Sequence, residues 1–114
     1  MKAYLVDVGV LLEKQNDEFD FYSCVYDHKY GYYDENQYYV STKEKAIKQA
    51  KEYVEKGIED TYGIVSETEL NDSITKQDID DGNVDVSDET YLVQNVCVGY
   101  AKLNNQIVEL FNNL

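Results

Sequence analysis

The segment VSTKEKAIKQAKEYVEKGI, residues 40–58, constrains the fold of this chain more than any other. Ala46, Ile47, Ala50, Tyr53 and Val54 recur at three- and four-residue spacing and make one apolar stripe on a helix of about residues 42–56. Ser41 and Glu44 have the spacing of a capping box. Glu44 with Lys48 and Glu52 with Lys56 are i,i+4 pairs in the favourable orientation, and Gly57 is a stop signal. A helix with a single stripe must bury it on another element. Both flanks alternate in the manner of strands, so that element is a sheet.

In KAYLVDVGVLLEK, Tyr4, Val6, Val8 and Val10 share one face and Asp7 and Gly9 the other. QNDE reads as a turn, and FDFYSCVYD alternates Phe19, Phe21 and Val25 against Tyr22, Cys24 and Tyr26, which together predict a first hairpin. A third strand at residues 37–40 leads into the helix. A fourth, TYGIVSETEL, sets Ile64 and Leu70 on one side with Glu67 and Glu69 on the other. In ETYLVQNVCVGYAKLNNQIVELF, the Val density and Gly99 favour a strand to about residue 101 and an Asn-Asn turn, with a short strand or helix after it. YLV occurs at 4–6 and again at 91–93, a similarity of strands and not a repeat. The expected fold class is α+β: an antiparallel β-sheet of about five strands with one amphipathic helix packed on one face. A chain of 114 residues, 43% apolar, suits a single globular domain over residues 1–114, with an acidic loop at about residues 71–89.

Charge is what most narrows function. The chain carries 23 acids against 10 bases for a net charge of −13, and every base is Lys. Without Arg there is no bidentate fork for phosphate or base edges, and a field of this sign repels polyanions, so neither direct nucleic-acid binding nor an anionic membrane is expected. No apolar run is long enough to span a bilayer and no signal-peptide pattern is present, which predicts a cytoplasmic protein. The excess is uneven. Residues 41–58 carry five Lys and three Glu, residues 59–89 eleven acids and one Lys, and residues 90–114 one of each.

Within the acidic stretch, KQDIDDGNVDVSDET has part of the spacing of a calcium loop. With Gly82 at the turn position, Asp81, Asp85 and Asp88 fall on ligand positions, but Gln77 and Ile79 stand where two further oxygen ligands belong. Starting the frame at Asp78 and Asp80 brings Glu89 to the last position and puts Asp85 where an apolar residue is needed. The resemblance to an EF-hand or dockerin loop covers a dozen residues and lacks flanking helices. No metal site is assigned, and a calcium-responsive module using residues 77–89 stays as the alternative reading.

Little else suggests chemistry. His28 is the single His, in a stretch that reads as a loop, and Cys24 and Cys97 lie in apolar runs as free thiols. Zinc spacing, a phosphate-cradling Gly loop and a Ser-nucleophile motif are all missing, so neither an enzyme nor a cofactor is expected. Seven of the twelve Tyr fall between Tyr22 and Tyr39. In YGYYDENQYY the aromatic-loop residues Tyr30, Tyr32 and Tyr33 suit protein contacts or self-association, and equally a Tyr-rich sheet that pairs rings across strands.

The resulting expectation is a non-enzymatic protein-binding module. Its acidic face, Glu67, Glu69, Asp72, Asp78, Asp80, Asp81, Asp85, Asp88 and Glu89, would engage a basic site of a partner such as a nuclease or another nucleic-acid-binding protein. Glu67 and Glu69, alternate residues on a strand, would repeat at about 6.6 Å, comparable with neighbouring charges on a nucleic-acid strand. In size and charge the chain is similar to small acidic inhibitors of phages and mobile elements that mimic DNA, although no motif carries that similarity. An accessory oligomerising domain without a ligand is the remaining alternative.

Overall fold

A computed structural model describes residues 1–11, 32–86 and 95–114. Along the chain the elements are β1 (Lys2–Leu11), β2 (Tyr32–Val40), α1 (Lys43–Lys56), β3 (Thr61–Glu69), α2 (Lys76–Asp80), β4 (Val96–Leu103) and β5 (Gln106–Asn112). The five strands form one antiparallel sheet in the order β2-β1-β3-β4-β5, with α1 packed on it, which is the expected α+β class.

Alternation in β1 divides the core in two. Val6 and Val8 face α1, where they meet Ala46, Ala50 and Val54 from the helix and Val65, Val98 and Tyr100 from β3 and β4. Ala3 and Leu5 face the other way and, with Tyr39, are covered by Ile79 of α2. Leu70, Ile74, Val84 and Val86 pack round that second cluster. The predicted helical stripe is therefore the buried one, and α1 lies close against the sheet. A Cβ on Gly63 would come within 2.9 Å of the Ala50 carbonyl oxygen, so only glycine admits the helix at this distance. The ammonium of Lys102 on β4 donates to the carbonyls of Glu55 and Gly57 at 2.8 and 2.9 Å, satisfying the end of α1.

Both sides of β1 are taken, by β2 and β3, and the 19–26 segment expected beside it lies outside the described residues. Three expectations are corrected. The strand expected at residues 37–40 begins at Tyr32. Its Asp34-Glu35-Asn36 run, part of the stretch expected as a loop, is absorbed by a register shift opposite Val8 and Gly9, which an edge strand tolerates readily. Tyr32 and Tyr33 thus belong to a strand and not a loop, their backbone opposite Leu11 and Val10, while Tyr30 lies outside the described residues. Finally, Ser41 does not cap α1. The N-cap is Thr42, which makes no side-chain cap bond, and the Ser41 hydroxyl donates to Asp80 Oδ1 at 2.8 Å.

The C-terminal segment is a hairpin. Asn104 and Asn105 have φ of 54° and 64°, the left-handed pair that a two-residue turn between twisted strands requires and that Asn tolerates. The Glu59 carboxylate braces this turn, accepting from the Asn104 N–H and, at 3.0 Å, from the Asn105 N–H.

Candidate functional site

Residues 75–83 of the acidic stretch form a capped helical turn and not a loop. Thr75 and Asp78 form a reciprocal capping box: the Thr75 N–H donates to Asp78 Oδ2 at 2.9 Å, and the Asp78 N–H donates to Thr75 Oγ1 at 3.1 Å. At the other end the Gly82 N–H reaches the Ile79 carbonyl and the Asn83 N–H reaches that of Asp78. With Gly82 at φ +72°, these bonds make a Schellman ending. Between the two caps stands α2, pinned to the sheet by Ile79, which is 4% exposed.

The expected acidic residues divide by what they do in this arrangement. Asp78 is bound into the cap, and the bonds from Thr75 hold its carboxyl below the usual carboxylate range. Asp80 accepts from Ser41, and Asp81 accepts from Gln77 Nε2 at 2.8 Å. Both remain exposed, as do Glu69, Asp72 and Asp85. The Met1 ammonium lies 3.5 Å from Glu69 and 3.3 Å from Asp72. Glu67, half-buried on β3, pairs with Lys2 at 3.3 Å, and this contact raises the lysine pKa. The Glu67–Glu69 ladder is therefore partly neutralised, and of the expected acidic residues that are described, Asp78, Asp80, Asp81 and Asp85 make no ion pair with a described cation. Asp88 and Glu89 lie outside the described residues.

Several residues of the partial calcium spacing have other roles in this geometry. Residues 76–80 are helical, Gly82 is left-handed because it ends that helix, and Asp78, Asp80 and Asp81 turn to three different partners. No three His, Cys, Asp or Glu side chains gather to hold a metal ion among the described residues.

Two concavities are worth testing for chemistry. One, of about 580 Å³, runs beside α1 and is lined by Val10, Tyr38, Gln49, Tyr53, Lys56 and Ile58, among others; among the described residues it contains neither His nor Cys. Burial pushes the Tyr38 hydroxyl pKa up, so it stays protonated at neutral pH. The second, of about 380 Å³, brings Lys43, Glu67 and Cys97 together near Asn113. Burial first, and then Glu67, push the Cys97 thiol up, with Lys43 opposing more weakly, so the environment favours the protonated thiol. His28 and Cys24 lie outside the described residues. No helix of the described residues is long and apolar enough to cross a membrane. No protein-family model, curated protein or solved structure matches this chain.

Proposed function

We propose that the chain is a non-enzymatic, cytoplasmic binding protein that docks on a basic site of a partner protein through Glu69, Asp72, Asp80, Asp81 and Asp85. The observation that carries this reading is the construction of α2. A five-residue helix is capped at both ends by its own segment and anchored by Ile79, so the carboxylates of Asp80 and Asp81 are held at the surface. Preorganised like charges raise encounter rates with a cationic surface, and ordering cost at the moment of docking is reduced. Sites that ordinarily take nucleic acid are one class of such cationic surface, as in inhibitors that mimic DNA. The absence of Arg and the net charge of −13 disfavour direct contact with nucleic acid itself.

The test is a capture experiment with a substituted control. The chain and its Asp72→Asn, Asp80→Asn, Asp81→Asn, Asp85→Asn variant are immobilised side by side, and host proteins are passed over both at low and high salt. Asn keeps an acceptor oxygen for Ser41 and Gln77, so α2 is retained, as a circular-dichroism melt would verify. A partner held by the chain alone, released by salt and displaced by duplex DNA, supports the reading. Equal capture by the variant, or capture indifferent to DNA, overturns it.

A further inference from the structure

We propose that β5 is a self-association edge, through which two copies of the chain pair β5 to β5 antiparallel and merge their sheets into one. This does not rest on the acidic-face reading, because it concerns the opposite edge and the opposite sign of salt dependence. The strand order leaves β2 and β5 at the two edges, and among the described residues no strand runs beyond β5.

The parity of the hairpin shows which backbone groups of β5 point outward. The Lys102 carbonyl accepts from the Asp60 N–H at 2.9 Å and is thus turned toward the β3 side, away from β5. Directly opposed residues of an antiparallel pair turn their N–H and C=O the same way relative to the shared ladder, either both in or both out. Ile107, opposite Lys102, and Glu109, opposite Tyr100, therefore present their N–H and C=O beyond the sheet.

Exposed edges are ordinarily guarded by Lys, Pro, inward charges or a covering segment. In QIVELFN the single charge is Glu109, and there is neither Lys nor Pro. Ile107 and Val108 are 41% and 37% exposed, among the few large apolar side chains left in solvent in the described residues. By contrast, β2 carries Asp34, Glu35 and a register shift, and α2 approaches its end through Ile79 and the Asp80–Ser41 bond.

Charge and register select a second copy as the occupant. Residues 95–114 hold one Lys and one Glu in a chain of net charge −13, so this edge is where two identical acidic molecules repel least. A two-fold axis at Val108 sets Ile107 of each copy against Glu109 of the other. Both pairs can then exchange N–H···O=C bonds, with Val108 meeting its own counterpart between them. A two-fold axis at Glu109 would instead oppose two carboxylates, which is unfavourable. A seven-residue edge makes a small interface, so the expected state is a concentration-dependent equilibrium and not an obligate dimer.

Sedimentation equilibrium over a concentration series, at low and high salt, tests this. The expected result is a monomer–dimer equilibrium shifted toward dimer by salt, which screens the repulsion between copies. Val108→Lys, placing two ammonium groups across the axis, should leave monomer at concentrations where the unchanged chain is half dimeric. Register is checked separately by Val108→Cys, which should form a disulfide-linked dimer on mild oxidation more readily than Glu109→Cys, since non-hydrogen-bonded opposed positions bring Cα atoms to about 4.5 Å. A chain that is monomeric throughout overturns the proposal, as does a dimer unaffected by Val108→Lys or one that cross-links no better through Val108→Cys.

Discussion

The two covers of the sheet are built on opposite plans. α1 buries Ala46, Ala50 and Val54, rides at backbone contact over Gly63, and borrows Lys102 from β4 to finish its C-terminal end. Its own N-terminus makes no side-chain cap bond. α2 has one buried residue, Ile79, and owes its shape to bonds within residues 75–83. A helix this short cannot repay its nucleation cost through its own ladder, so caps and one anchor must hold it. Tertiary packing fixes the first cover and local polar bonds fix the second. The first is therefore part of the global folding unit, whereas the second can open while the sheet stands.

The largest expected effect comes from attacking the packed cover. Gly63→Val places a branched side chain where even a Cβ meets the Ala50 carbonyl at 2.9 Å, so α1 must lift. Overpacking of this kind costs about 3 kcal/mol, the upper end of its usual range. The whole thermal transition should move down, and protection from hydrogen exchange should fall across β1, β3 and α1 together. A near-normal melt would show that α1 is not set at this distance.

Ile79→Ala should cost less, about 2 kcal/mol, at the low end for a buried Ile because its cluster is small and surface-lying. Its distribution separates the two plans. The amides of Asp81, Gly82 and Asn83, which bond back to Gln77, Ile79 and Asp78, should exchange freely, while those of β1 and β3 keep their protection. Loss of protection across the sheet would make the acidic cover part of the same cooperative unit as α1.

The two plans also explain what could be read from the sequence. The stripe on α1 and the alternation of β1 and β3 are periodic, and periodicity follows directly from one-sided burial. The Asn-Asn turn carries its own backbone preference, so the turn was legible, but whether a strand or a helix followed it was left open. Sheet order was not, because the neighbours of β1 are distant in sequence. The start of β2 was hidden by Asp34-Glu35-Asn36, which has turn chemistry but sits at an edge. In the acidic segment the signals were present and assigned to the wrong structure. Thr75, Asp78 and Gly82 spell a start and a stop only five helical residues apart, too short for any stripe to show. Ser41 illustrates the converse, a residue with cap spacing whose hydroxyl is drawn to Asp80, 39 positions away.

The finest distinction lies within the capping box, whose two halves respond differently to pH. Thr75→Ala removes the oxygen that accepts from the Asp78 N–H, a loss of about 1 kcal/mol that persists wherever the segment is folded. Asp78→Asn keeps an acceptor for the Thr75 N–H and removes only the charge. The Asp78 carboxyl is held below its ordinary value of 3.8, mainly by that N–H. The sign follows: a carboxylate with a depressed folded pKa contributes stability above the unfolded value, and that contribution is lost as pH falls through the folded one. Amide exchange of residues 78–83 should therefore be faster in Asp78→Asn than in the unchanged chain at neutral pH, with the two converging below pH 3.8. The deficit of Thr75→Ala should stay open over the same range. Convergence of both variants would mean that the hydroxyl acts only through the carboxylate charge, and convergence of neither would remove that charge from the account of how α2 is held.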